Sequence, residues 1–152
     1  MSTSQPTYHD AELILKLYEL RREPVMREAR DFVASVAPKS TDDLLAIVNN
    51  GGKESAYLRQ VYGYWEMAAA FVAHGTLNAL LAYDTLQEMY FAYAKIQPFL
   101  EEFRQRRGAP DFLVNMQKVV EGSAEGRERV ARLRKRQADM ARGRAEAAKQ
   151  GR

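Results

Sequence analysis

Three observations predict an all-α fold. Apolar residues recur at the 3.6-residue period of a helix in one segment after another, and no stretch alternates with the period of two that a strand requires. Eleven of the fifteen aromatic residues, with the only tryptophan (Trp65), fall between Tyr57 and Arg107, which marks one core. From Val61 to Ala73 the chain is apolar on nearly every side, interrupted only by Gly63 and Glu66. A helix of that kind is surrounded by other elements, not laid on a surface. The expected architecture is a single-domain bundle of five to seven helices. Its parts are a central apolar helix over 54–74, a long helix over 85–107 bent at Pro98, and a basic C-terminal helix or tail.

Each element has a local reason. Residues 1–6 are polar and expected to fray. Thr7 followed by Asp10 reads as a capping box opening a helix to about Glu23, with Leu13, Ile14, Leu17 and Leu20 on one face. Pro24 starts or kinks the next segment, 25–36, whose inward residues read as Val25, Ala29, Phe32 and Val36. Ser40 or Thr41 caps a short helix carrying Leu44, Leu45, Ile47 and Val48, and Asn49-Asn50-Gly51-Gly52 stops it. The central helix ends at Gly75, and Thr76 is placed to cap a short turn through Tyr83. Thr85 with Glu88 reads as a second capping box, opening the long helix that ends at Arg107-Gly108. Pro98 removes one backbone hydrogen bond inside it and should bend it. Pro110-Asp111 then starts a helix with Phe112, Leu113, Met116, Val119 and Val120 inward, closed by Gly122-Ser123. Beyond that point the apolar anchors thin to Val130, Leu133 and Met140, so a helix over 126–142 is expected to fray after Met140. The chain thus divides into a bundle over 1–123 and a basic helical extension over 124–152.

Composition narrows the function. With 152 residues the chain can bury roughly 70% of the surface that it would expose unfolded, and 46% hydrophobic with 28% charged residues is ordinary for a globular protein. There is no cysteine, which removes disulfides, zinc–thiolate sites and cysteine nucleophiles. The start of the chain lacks the apolar segment of a signal peptide, and the longest central apolar run falls well short of the about 20 residues that span a bilayer. A cytoplasmic protein is expected. The net charge of +3 is unevenly spread: residues 127–152 carry ten Lys/Arg against three Asp/Glu, whereas 1–126 carry thirteen against seventeen.

A carboxylate-bridged metal site would need Glu-x-x-His pairs, and the two histidines belong to none. Glu66 and His74 lie about 12 Å apart by helical rise, so no metal ligand, cofactor or catalytic residue is assigned. His74 reads as a helix-end residue facing the dipole. Glu66 is the distinctive acid. Inside an apolar helix it must be paired, hydrogen-bonded or protonated, with Arg104, Arg59 or the hydroxyls of Tyr62, Tyr90 or Tyr93 as partners. An ion pair fixing helix register is the structural reading, and a ligand-binding or catalytic carboxylate the functional one. The tyrosines read as core residues with hydroxyls at the rim. Gly51-Gly52-Lys53 lacks the spacing of a phosphate loop. In the tail, Arg132, Arg134, Lys135 and Arg136 are candidate anion or nucleic-acid contacts, although no aromatic residue accompanies them to stack on bases.

The block Tyr64-Trp65-Glu66-Met67-Ala68, Gly75-Thr76-Leu77, Tyr83-Asp84, Ile96-Gln97-Pro98-Phe99-Leu100 and Arg104 resembles a bacterial family catalogued only as a domain of unknown function, over about residues 57–120. Members of that family often carry a transmembrane helix ahead of the domain, where this chain has an amphipathic one. The resemblance implies a helical fold and a Glu66–Arg104 pair, and no reaction. The leading expectation is a non-enzymatic protein-interaction module, with a homodimer as one form of it. A nucleic-acid binder using the 127–149 tail and a small-molecule binder or enzyme with a pocket at Glu66 are the alternatives.

Overall fold

A computed structural model describes residues 4–151, so the start of the expected frayed segment lies outside the described residues. The described residues form nine α-helices and no strand: α1 Tyr8–Arg21, α2 Pro24–Ser35, α3 Thr41–Asn49, α4 Lys53–Ala73, α5 Ala79–Thr85, α6 Gln87–Ile96, α7 Leu100–Arg107, α8 Val114–Glu121 and α9 Ala124–Gln150. The count exceeds the expected five to seven. Pro98 divides the long helix into α6, a 3-10 turn over Gln97–Phe99 and α7, and the segment after Gly75 holds a full helix.

Helix α4 is the axis. Its side chains from Tyr57 to Val72 meet α2, α3 and α8, and Trp65 is completely buried against Tyr64, whose ring lies 4.8 Å away. The hydroxyls at the ends of these rings find carbonyls: Tyr62 donates to Ala92 over 2.8 Å and Tyr64 donates to Leu17. An aromatic core therefore needs no unpaired phenol.

At the start of α1 the Thr7–Asp10 capping box is present, with the Thr7 N–H donating to Asp10 Oδ2 over 2.7 Å. The other oxygen of Asp10 accepts the Asn78 N–H, also over 2.7 Å, and Asn78 caps α5 in place of the expected Thr76. One carboxylate thus ties two helix starts together. Pro24 occupies the first turn of α2, where its missing N–H is harmless.

The inward faces differ from the expectation in two places. Leu20 is 55% exposed, because the buried stripe of α1 runs through Ile14 and Leu17. In α2 the buried stripe is Met26, Ala29 and Val33; of the expected set Ala29 is buried and Phe32 packs half-buried against the core, whereas Val25 faces outward.

The second capping box is replaced by an ion cluster. Thr85 ends α5 and donates its hydroxyl to Leu81, while Glu88 accepts from Arg30 Nε over 2.7 Å and from Arg21. The Arg21 guanidinium also lies 5.3 Å from the Trp65 ring centroid, so α1, α2 and α6 close over the central helix through one acid.

Helix α9 runs on to Gln150 instead of giving out near Met140, and Met140 is exposed. Its anchoring end is specific. Ser123 caps it, and Gly126 is needed, since a Cβ there would stand 2.2 Å from the Val120 carbonyl oxygen. Arg129 stacks 3.5 Å above the Tyr83 ring centroid.

Backbone N–H groups of Thr7 and Asn78 hold the Asp10 carboxyl below the usual aspartate range. A lowered folded pKa gives stability that is present above the unfolded value of about 3.9 and lost as pH falls through the folded one. Chemical denaturation should therefore find Asp10→Asn less stable than wild type at pH 6, with the gap closing below about pH 4. A gap constant from pH 6 to pH 2.5 would contradict this role.

Candidate functional site

The site begins with an ill-formed helix start. Gly108, at φ +61°, ends α7, and the chain turns through 109–113 before α8. Thus α8 starts at Val114, later than the expected Pro110–Asp111, because Leu113 sits in the left-handed region at φ 56°. That conformation strains a branched side chain by roughly 1 kcal/mol or more, and burial of Leu113 offsets it. Leucine also has no oxygen for the unpaired N–H groups of the first helical turn.

Glu66 supplies what Leu113 lacks. From α4, its Oε1 accepts the Asn115 N–H at 2.9 Å and the Asn115 side-chain amide at 2.8 Å, while Oε2 accepts the Met116 N–H at 2.9 Å. A carboxylate at a helix N-terminus is also favoured by the helix dipole. The half-buried acid is therefore satisfied by a helix start from another part of the chain.

The expected Glu66–Arg104 ion pair is not formed among the described residues. Arg104, its side chain only 10% exposed, donates from Nε to the Phe112 carbonyl and from Nη1 to Gln117 Oε1, each over 2.8 Å. The two side chains clamp the same segment from separate positions. Gln117 passes the link to Glu121, which also accepts from Tyr93 and Gln97. Burial raises the Glu121 carboxyl, but these hydrogen bonds outweigh it and leave the group below its usual range.

Beside Glu66 lies a half-open cleft of about 440 Å³ between α4, the end of α7 and the 109–113 turn. Leu58, Tyr62, Phe103 and Phe112 make it apolar, with Arg59, Arg107 and Asp111 among its lining residues. The Phe103 and Phe112 rings pack 4.9 Å apart at its wall. Arg107 donates to Asn49, whereas Arg59 has no partner among the described residues.

Gly63 lies in this lining, in the middle of α4, and a Cβ built on it would meet nothing within 4 Å. Glycine inside a helix costs about 1 kcal/mol relative to alanine, and no close backbone approach demands it here. Gly63 is exposed on the cleft side of α4, where a side chain would project into open space. Sequence reasoning recorded Gly63 only as an interruption.

Chemically the cleft offers apolar surface. Both oxygens of Glu66 are occupied by donors, and burial pushes the hydroxyl of Tyr62, the tyrosine in the lining, above its ordinary range. His74 lies apart, at the C-cap of α4. The tail residues divide: Arg134 reaches toward Gln97 of the 3-10 turn, and Arg132 lies 4.0 Å from Glu128. Lys135 and Arg136 are exposed and unpartnered among the described residues.

Replacing Glu66 by alanine should destabilise the protein by about 1–2 kcal/mol, the usual range for loss of a helix cap. Urea unfolding measures this, and a change below about 0.5 kcal/mol would mean that water replaces the carboxylate without loss.

No helix among the described residues is long and apolar enough to cross a membrane. No solved structure matches the chain. The family described as Domain of unknown function (DUF4760) matches residues 6–123, from before α1 to the cap of α9, a wider span than the 57–120 resemblance. The α4–α8 scaffold that carries the cleft thus lies within the matched span, and the chain belongs to the DUF4760 family.

Proposed function

We propose that this chain is a non-catalytic protein-interaction module whose α4–α8 cleft receives an apolar side chain of a partner. What supports this reading is the half-open apolar cleft itself, walled by Leu58, Tyr62, Phe103 and Phe112, with Gly63 presenting no side chain on its α4 side. The occupied oxygens of Glu66 favour a structural carboxylate over a general base. Peptides selected from a random library against the wild-type chain should carry an aromatic or leucine anchor and lose binding at least tenfold with Gly63→Trp. The Gly63→Ala variant should gain about 0.5–1 kcal/mol of stability. Selected peptides that bind wild type and Gly63→Trp equally would remove the cleft from the function.

A homodimer is supported by a separate surface. The aromatic residues of 85–107 offer it little, since Tyr90, Tyr93 and Phe103 are buried within the chain. The first helix offers more: Tyr8 is 76% and Leu15 63% exposed, with Leu80 of α5 also 63% exposed. Tyr8 and Leu15 are seven residues apart, so they share one face of α1. Sedimentation equilibrium should give a concentration-dependent dimer that Leu15→Glu reduces to monomer. A 17.3 kDa species at every concentration would contradict self-association.

Nucleic-acid binding by the tail draws less support, because Arg129 is committed to Tyr83 and Arg127 to the Glu121 carbonyl. Among the described residues of the tail, Arg129 is half-buried and the other cations are exposed.

A further inference from the structure

A second half-open cleft, of about 470 Å³, lies between α6 and the C-terminal half of α9. Along α9 its lining runs from Arg134 to Arg144, about 15 Å by helical rise. The long wall is made of small apolar residues, Ala94 opposite Ala138 and Ala141, with Phe91 and Phe99 beside them. Its charges are all of one sign. Lys39, Lys95, Arg134 and Arg144 line it, and no Asp or Glu does among the described residues.

Lys95 is the best placed of the four. Its ammonium donates to the Ala34 carbonyl over 3.0 Å and to the Val36 carbonyl at the end of α2, 5.0 Å from the Phe91 ring centroid. An ammonium has three N–H bonds, and the third has no acceptor among the described residues. Burial, and then the nearness of Arg144, hold Lys95 below the usual lysine range. The side chains of Lys39 and Arg144 have no partner among the described residues.

A nucleic-acid backbone would use the charges and leave the alanine wall without purpose. A hydrocarbon chain alone would use the wall and leave the cations unmatched. We propose that the cleft binds a free single-chain carboxylate of medium length, its chain along the alanine wall and its head group between Lys95 and Arg144. The cleft volume lies within the range of small-molecule sites.

Calorimetric titration of the full chain with octanoate, decanoate and dodecanoate, each below its micellisation concentration, tests this. One site per chain is expected, with affinity rising roughly two- to fourfold per added methylene, the upper value being that of a fully buried one. Decan-1-ol should bind at least tenfold more weakly than decanoate. The Arg144→Gln variant should weaken decanoate about tenfold, and Ala138→Trp should abolish its binding while the circular dichroism spectrum stays that of wild type. Equal binding of decan-1-ol and decanoate, or wild-type affinity in both variants, would overturn the assignment. So would an absence of decanoate binding from a chain that binds phosphatidylglycerol vesicles or a short DNA duplex, since the cations would then serve a surface.

Discussion

The structure turns on how a carboxylate is kept inside an apolar helix. Helix α4 buries ten of its residues, and Glu66 stands half-buried beside them, where its carboxylate calls for hydrogen-bond donors. The donors come from the start of α8, whose own cap position holds a strained leucine with nothing to offer. Each defect answers the other: the acid needs N–H groups, and the helix start needs an acceptor. Arg104 then fixes the same segment through the Phe112 carbonyl and Gln117, so the turn over 109–113 is held on both sides. The cleft beside Glu66 lies where α8 is tied to α4 through Glu66 and the 109–113 turn is tied to α7 through Arg104, with Gly63 in its lining.

Local chemistry was legible in the sequence and distant chemistry was not. The Thr7–Asp10 box, Pro24 at a helix start, the Gly51 and Gly75 stops and the Pro98 bend all depend on residues a few positions apart. Glu66 was recognised as an acid in need of a partner, but that partner lies about fifty residues away and is mostly backbone, which no side-chain pattern reveals. Thr85 and Glu88 had the spacing of a capping box, yet two arginines from α1 and α2 won the carboxylate. Charged hydrogen bonds to guanidinium groups are stronger than a cap at an exposed helix end. The left-handed Leu113 has no sequence signal at all, since its burial, not its propensity, sustains it.

The two clefts differ in chemistry. The one beside Glu66 mixes charges of both signs around aromatic walls. The one under α9 has a single sign of charge around an apolar wall of alanines, Phe91, Phe99 and Met140. The family match ends at the cap of α9, so only the first of these lies wholly within the matched span.

The central claim is that Glu66 serves as the missing cap of α8. Amide hydrogen exchange tests it at single residues, because N–H groups in a first helical turn have no acceptor within their own helix. Asn115 and Met116 should exchange as slowly as Val119 and Val120 farther along the helix, sheltered by the carboxylate. Exchange of those two amides at the rate of an unprotected chain, while Val119 and Val120 stay slow, would contradict it.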